Sequence, residues 1–92
     1  MKITEITIYG LSHINMGEAN EADAAGYRAW LGEKLAEEFP DADINLYEED
    51  RTNCYKVEAE DDEFKRGYSV ASNRVQQFAE QCWNDCPWDW VG

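Results

Sequence analysis

The chain is short of positive charge. Eight Lys and Arg stand against 20 Asp and Glu, leaving a formal net charge of −12 at pH 7 and a pI near 4.2. Direct binding to DNA, RNA or an anionic membrane needs a basic footprint, and this composition argues against all three. Histidine occurs once, at His13, so no nucleophile-histidine-carboxylate arrangement assembles from the sequence. There is no Gly-rich phosphate loop, no His-Glu-x-x-His and no Gly-x-Ser-x-Gly. These absences predict a protein that is not an enzyme and uses no cofactor.

Only two prolines, Pro40 and Pro87, interrupt the 92 residues, with no repeat and no low-complexity stretch at which to divide them. A chain of this length supports one core, so residues 1–92 are expected to form a single domain. No run approaches the roughly 18 apolar residues of a membrane span, and residues 1–7 lack the apolar core of a secretory leader. Three cysteines, Cys54, Cys82 and Cys86, are an odd number for a disulfide framework, and no Asn-x-Ser/Thr acceptor occurs. Reduced thiols and a cytoplasmic location are the expectation. With 43% hydrophobic and 13% aromatic residues the chain nonetheless carries enough apolar mass to fold.

What is present is ordered by period. Residues 2–9 are rich in β-branched types and stop at Gly10, predicting a first strand. From Glu21 to Phe39, Ala24, Tyr27, Leu31, Leu35 and Phe39 recur at three or four and predict an amphipathic helix closed by Pro40. Residues 43–49 and 54–59 alternate apolar and polar, predicting two strands joined as a hairpin across Asp50-Arg51-Thr52-Asn53. Tyr68, Ala71, Val75, Phe78, Ala79, Cys82 and Cys86 share one face of a second helix ended by Pro87. A short last strand over residues 88–91 is the final expectation.

The order β-α-β-β-α predicts an α+β fold. It is a two-layer sandwich in which two helices cover one face of a three-stranded, mainly antiparallel sheet. Period two then places Ile6, Ile8, Ile44, Leu46, Tyr55, Val57 and Ala59 inward. Glu5, Tyr9, Tyr47, Glu49, Lys56 and Glu58 are left outside.

Two metal readings arise and fall to simpler ones. Cys82 and Cys86 at i, i+4 could join Cys54 and His13 around zinc, but the spacing is not a knuckle and two core thiols on one helix face account for it. Asp41-x-Asp43-x-Asn45 opens like a calcium loop, yet Leu46 stands where glycine is needed and Thr52 where the bidentate glutamate belongs. No metal site is predicted.

The unusual feature is where the acid lies. Between Glu37 and Glu63 there are twelve acidic residues against Arg51 and Lys56 alone, a net −10 out of −12. Glu37, Glu38 and Asp41 sit where a helix C-terminus prefers cations, so local stability does not explain them. Acidic surfaces aid solubility in general. A sharper reading is that the predicted hairpin and the loop after it face a strongly basic partner. The candidate partner-binding residues are Tyr47, Glu48, Glu49, Asp50, Tyr55, Glu58, Glu60, Asp61, Asp62 and Glu63. The carboxylates would meet Lys or Arg, and Tyr47 or Tyr55 would stack on guanidinium groups. Duplex DNA carries one charge per about 1.7 Å, so this many carboxylates match about 20 Å of duplex. A second feature is the Trp-rich stretch Trp83, Trp88 and Trp90, either core or the contact of a small adaptor domain.

Small size, one α+β domain, strong acidity and no catalytic constellation together resemble the small phage-encoded anti-CRISPR proteins, type I-F in particular. That resemblance implies a stoichiometric inhibitor in the host bacterial cytoplasm. It would bind a type I CRISPR surveillance complex and keep the guide RNA from pairing with target DNA. An anti-restriction DNA mimic is the alternative within the same class.

Overall fold

The β-branched stretch near the N-terminus forms β1 (Lys2–Ile8), and both other strands of the main sheet pair with it. The computed structural model describes residues 2–15 and 20–86. After β1 come a 3-10 turn (His13–Asn15), α1 (Glu21–Glu38), β2 (Asp43–Leu46), β3 (Tyr55–Glu60), a two-residue pair β4 (Phe64–Lys65) and β5 (Tyr68–Ser69), and α2 (Val70–Asp85). The expected strand over residues 88–91 lies outside the described residues.

The α+β class holds, with a three-stranded sheet and two helices, but the ladder is mixed. Its order is β2-β1-β3, with β2 parallel and β3 antiparallel to β1, beside a second sheet of β4 and β5. The expected β2–β3 hairpin therefore does not form, because β1 lies between its two arms. Alternation within a strand reports its faces and not its neighbours. The stretch from β1 through α1 is long enough for the crossover that a parallel partner requires. Residues 47–54 then arch over the end of β1. Tyr47 N–H donates to the Ile8 carbonyl (2.9 Å), Gly10 N–H to Glu49 (2.7 Å) and Tyr9 N–H to Cys54 (2.8 Å). Gly10 permits this turn because its φ of +77° is one that side-chain-bearing residues rarely adopt.

Ile3, Ile6 and Ile8 are all buried, yet Ile3 and Ile6 are three apart and would face opposite ways in a regular strand. A bulge between Ile3 and Glu5 restores the phase, so Ile3 pairs with Ala59, Ile6 with Val57 and Ile8 with Tyr55. The Thr4 hydroxyl donates to the Glu58 carbonyl at this irregularity (3.3 Å).

Helix α1 starts where Asn20 and Asp23 cap each other's backbone N–H groups at 2.9 and 3.0 Å. It packs on β2 and α2 packs on β3, joining Ala24, Tyr27, Leu31, Leu35, Ala71, Val75 and Cys82 to the isoleucines in one core. Phe39, just past α1, meets Phe78 of α2 edge-on at 5.6 Å and closes the far end. Tyr68, expected on the buried face of α2, is instead 76% exposed in β5, because Ser69 caps the helix one residue later. The β4–β5 turn places Arg66 and Gly67 at φ +55° and +81°, the left-handed pair of a type I′ hairpin.

Leu35 is fully enclosed between the sheet and α2. Leu35→Ala is expected to cost about 2–5 kcal/mol, read as a lower denaturant midpoint with an unchanged slope.

Candidate functional site

The sheet face that no helix among the described residues covers is set by β1. Glu5 pairs with Asp43 of β2 on one side and with Glu58 of β3 on the other, so three carboxylates cross the sheet in one row. Adjacent strands lie about 4.8 Å apart, and like charges so placed repel. The same face carries Glu60, two residues beyond Glu58 and opposite Lys2, and the next row of Asn45, Thr7 and Lys56. Asp43, Glu58 and Glu60 are exposed. Past the ends of β1 and β2, Tyr9 stacks on Tyr47 with ring centroids 5.3 Å apart and the rings 21° from parallel. The Arg51 guanidinium lies 5.2 Å from the Tyr9 ring centre.

The ten sequence-predicted residues divide into groups. Glu58 and Glu60 stand on this open face. Glu48, Glu49 and Asp50 lie in the arch over β1 and are partly engaged. Glu48 pairs with Arg28 at 3.2 Å, Glu49 with Arg51 at 3.2 Å, and Asp50 accepts a hydrogen bond from the Asn15 amide at 2.6 Å. Tyr47 is exposed and meets Tyr9 rather than standing alone. Asp61 takes a left-handed turn conformation (φ +54°) directly after β3, and the Glu63 carbonyl accepts from the Val70 N–H at 2.8 Å.

Two of the ten have a structural task. Tyr55 faces the helix side and is half-buried; burial first, then Glu80 and Cys54, raises its hydroxyl above the ordinary tyrosine value. It therefore does not stand on the open face beside Glu58 as a stacking platform. Asp62 reaches forward to the start of α2, where the Ser69 hydroxyl donates to it at 2.5 Å and the Ala71 N–H at 3.0 Å. Those bonds, the Ser69 one foremost, hold its carboxyl below the usual range.

Glu5 and Asp43 are the residues that sequence reasoning left out of the site. Glu5 had been placed on the outer face by its period, but only the order β2-β1-β3 puts it between Asp43 and Glu58. A hairpin assumption pairs β2 with β3 and hides the row.

Other chemistry finds little footing. Burial foremost raises the Cys82 thiol, which keeps it protonated inside the core. Cys54 is exposed, with its thiol 3.7 Å from the Arg51 carbonyl. Among the described residues no three His, Cys, Asp or Glu side chains converge as metal ligands, and no helix is long and apolar enough to cross a membrane.

Compared with known proteins, the chain matches no family model, no curated protein and no solved structure.

The Asp62 cap gives a signed pH dependence. A carboxyl whose folded value is lowered stabilises the fold above its unfolded value, near pH 4, and loses that contribution as pH falls through the lower folded value. Asp62→Ala should therefore lower Tm by a few degrees at pH 7. The gap to the unaltered protein should narrow progressively below pH 4 in thermal melts followed by circular dichroism.

Proposed function

We propose that the chain is a non-enzymatic binding protein whose open sheet face enters a Lys- and Arg-lined nucleic-acid channel. The observation that carries this is the carboxylate row Asp43, Glu5 and Glu58, with Glu60 beyond it, on a face that no helix among the described residues covers. A neutral row of the same shape would spare the sheet the repulsion between Asp43, Glu5 and Glu58, which Lys2 opposite Glu60 and Lys56 one row along offset only in part. Residues that oppose stability are the ones expected to serve a partner. The field of such a face steers a basic groove and speeds its association. Past the end of the sheet, Glu49 pairs with Arg51 beside the stacked rings of Tyr9 and Tyr47, while Glu48 is held by Arg28 of α1 and Asp50 by Asn15.

The partner proposed is a type I CRISPR surveillance complex, bound so that target DNA cannot enter; the chain would act as a phage-encoded inhibitor in the host bacterial cytoplasm. What supports this is the charge, its placement on one face and the resemblance in size and composition to anti-CRISPR proteins.

The test is capture of the purified complex by the tagged protein at low and at high salt. Retention at low salt that is lost at high salt supports the reading. No retention at either, or capture of a restriction enzyme instead, removes the CRISPR complex as partner. In parallel, the quadruple variant Glu5→Gln, Asp43→Asn, Glu58→Gln, Glu60→Gln should lose capture. It should also gain roughly 0.5 kcal/mol for each of the Glu5–Asp43 and Glu5–Glu58 repulsions relieved, less the contribution of the Lys2–Glu60 pair that it loses. Undiminished capture by this folded variant would sink the role of the face.

A further inference from the structure

Strand β3 forms one edge of the main sheet, pairing with β1 alone among the described residues. Its backbone phase is set near both ends. The Cys54 carbonyl accepts from the Tyr9 N–H at 2.8 Å and the Glu58 carbonyl from the Thr4 hydroxyl at 3.3 Å, so Cys54, Lys56 and Glu58 turn their backbone polar groups toward β1. Successive residues of a strand alternate, and Tyr55, Val57 and Ala59 therefore turn theirs away from it. Their N–H and carbonyl groups line the outer edge, where no hydrogen bond among the described residues uses them. The side chains of the same three residues face the core but are only partly buried, as happens where a sheet stops.

An edge of this kind templates a further strand unless proline, a bulge or a row of one charge guards it. Residues 55–60 contain no proline, the bulge lies in β1, and Lys56 and Glu58 differ in sign. The sequence fits one occupant, a second copy of the same strand running antiparallel. With Val57 opposite Val57, the outward residues meet as hydrogen-bonded pairs, Tyr55 of each copy opposite Ala59 of the other, and each Lys56 stands opposite a Glu58. A slip of one residue sets outward backbone groups against inward ones. A slip of two sets Lys56 against Lys56 or Glu58 against Glu58, so the charges select this register. Directly opposed side chains share a face, which puts both helix layers on one side of the joined sheet and each α2 beside the other. On that side an open groove of about 970 Å³ runs from Asn53, before β3, to the β4–β5 turn, after it, along Ser72, Asn73 and Gln76 of α2. Phe64 and Tyr68 stand exposed along it, and residues 64–76 contain no acid, so the charge of −12 is not concentrated at this seam. We infer that the free edge of β3 is the contact of a homodimer, in which two three-stranded sheets join into one. The pairing brings Lys56 of each copy to the end of the other's carboxylate row and does not rest on the function proposed for that row.

Sedimentation velocity on the full chain reads the mass directly. Between about 5 and about 500 µM the weight-average mass is expected to rise from 10.6 kDa toward twice that value. A chain that stays at 10.6 kDa at about 500 µM overturns the inference. Lys56→Glu and Glu58→Lys each set like charges opposite one another across the pair and should weaken association at least about tenfold. An equimolar mixture of the two variants should associate again, as should the double variant Lys56→Glu with Glu58→Lys, because each restores opposite signs. Single variants that associate undiminished, or a loss that neither combination restores, overturn the pairing. Val57→Pro removes an N–H that points away from β1, a change that edge strands tolerate. It should leave the far-ultraviolet circular dichroism unchanged and hold the mass at that of one chain. A folded Val57→Pro chain that still doubles its mass overturns the contact, and the charge series decides the question independently of that variant.

Discussion

Everything in this fold hangs on β1. Its isoleucines form the floor of the core, and its two edges carry both pairings of the main sheet. A strand in that position must be buried on the helix side along its full length. Its sequence meets the demand only because a bulge at Thr4 brings Ile3 into phase with Ile6 and Ile8. The helices follow from the strand: α1 is the crossover that returns the chain parallel to β1, and α2 covers the antiparallel side. Residues 47–54 then bind the loop end of β1 by backbone hydrogen bonds. What the sheet exposes on its other face is a consequence of the same strand, since Glu5 is the residue that Asp43 and Glu58 both neighbour.

That face opposes stability. Three carboxylates in adjacent strands repel one another; Lys2, opposite Glu60, and Lys56, one row along, relieve them only in part, and the remaining paired cations lie elsewhere. Arg28 holds Glu48 and the Leu11 carbonyl, Arg51 holds Glu49, and Lys34 holds Glu37. Solubility alone needs net charge but not a row of it, because charges spread over the surface serve as well and repel less. On the function proposed above, the partner's own cations would meet that row.

The elements were legible because each depends on a local period. All five apolar positions read into α1, from Ala24 to Phe39, are buried, and six of the seven read into α2 are at least partly so. The exception, Tyr68, fails for a local reason, since Asp62 and Ser69 form a cap that starts α2 after it. The neighbour relations were not legible. Two alternating stretches separated by a short polar segment read as a hairpin, and nothing in their period reveals that a distant strand inserts between them. The candidate site inherits that limit. A run of acid along the sequence marked Glu58 and Glu60, but assigned Asp62 and Tyr55 to a surface that one serves only by capping a helix and the other faces away from. Glu5 and Asp43 are far apart in sequence and become neighbours only across the sheet.

An aromatic-lined cavity at the end of β1 follows from the same correction. In a β2–β3 hairpin the residues of 47–54 would form a free turn; here they are drawn over β1, and Tyr9 is brought against Tyr47 and the Arg51 guanidinium at the rim of the cavity. Tyr55, paired with Ile8 at the edge of the core, reaches the same place from the adjacent strand. Tyr27 and Trp83 come from helices that meet only because both cover one face of the sheet. The aromatic corner is thus built by the strand order and not by any contiguous motif.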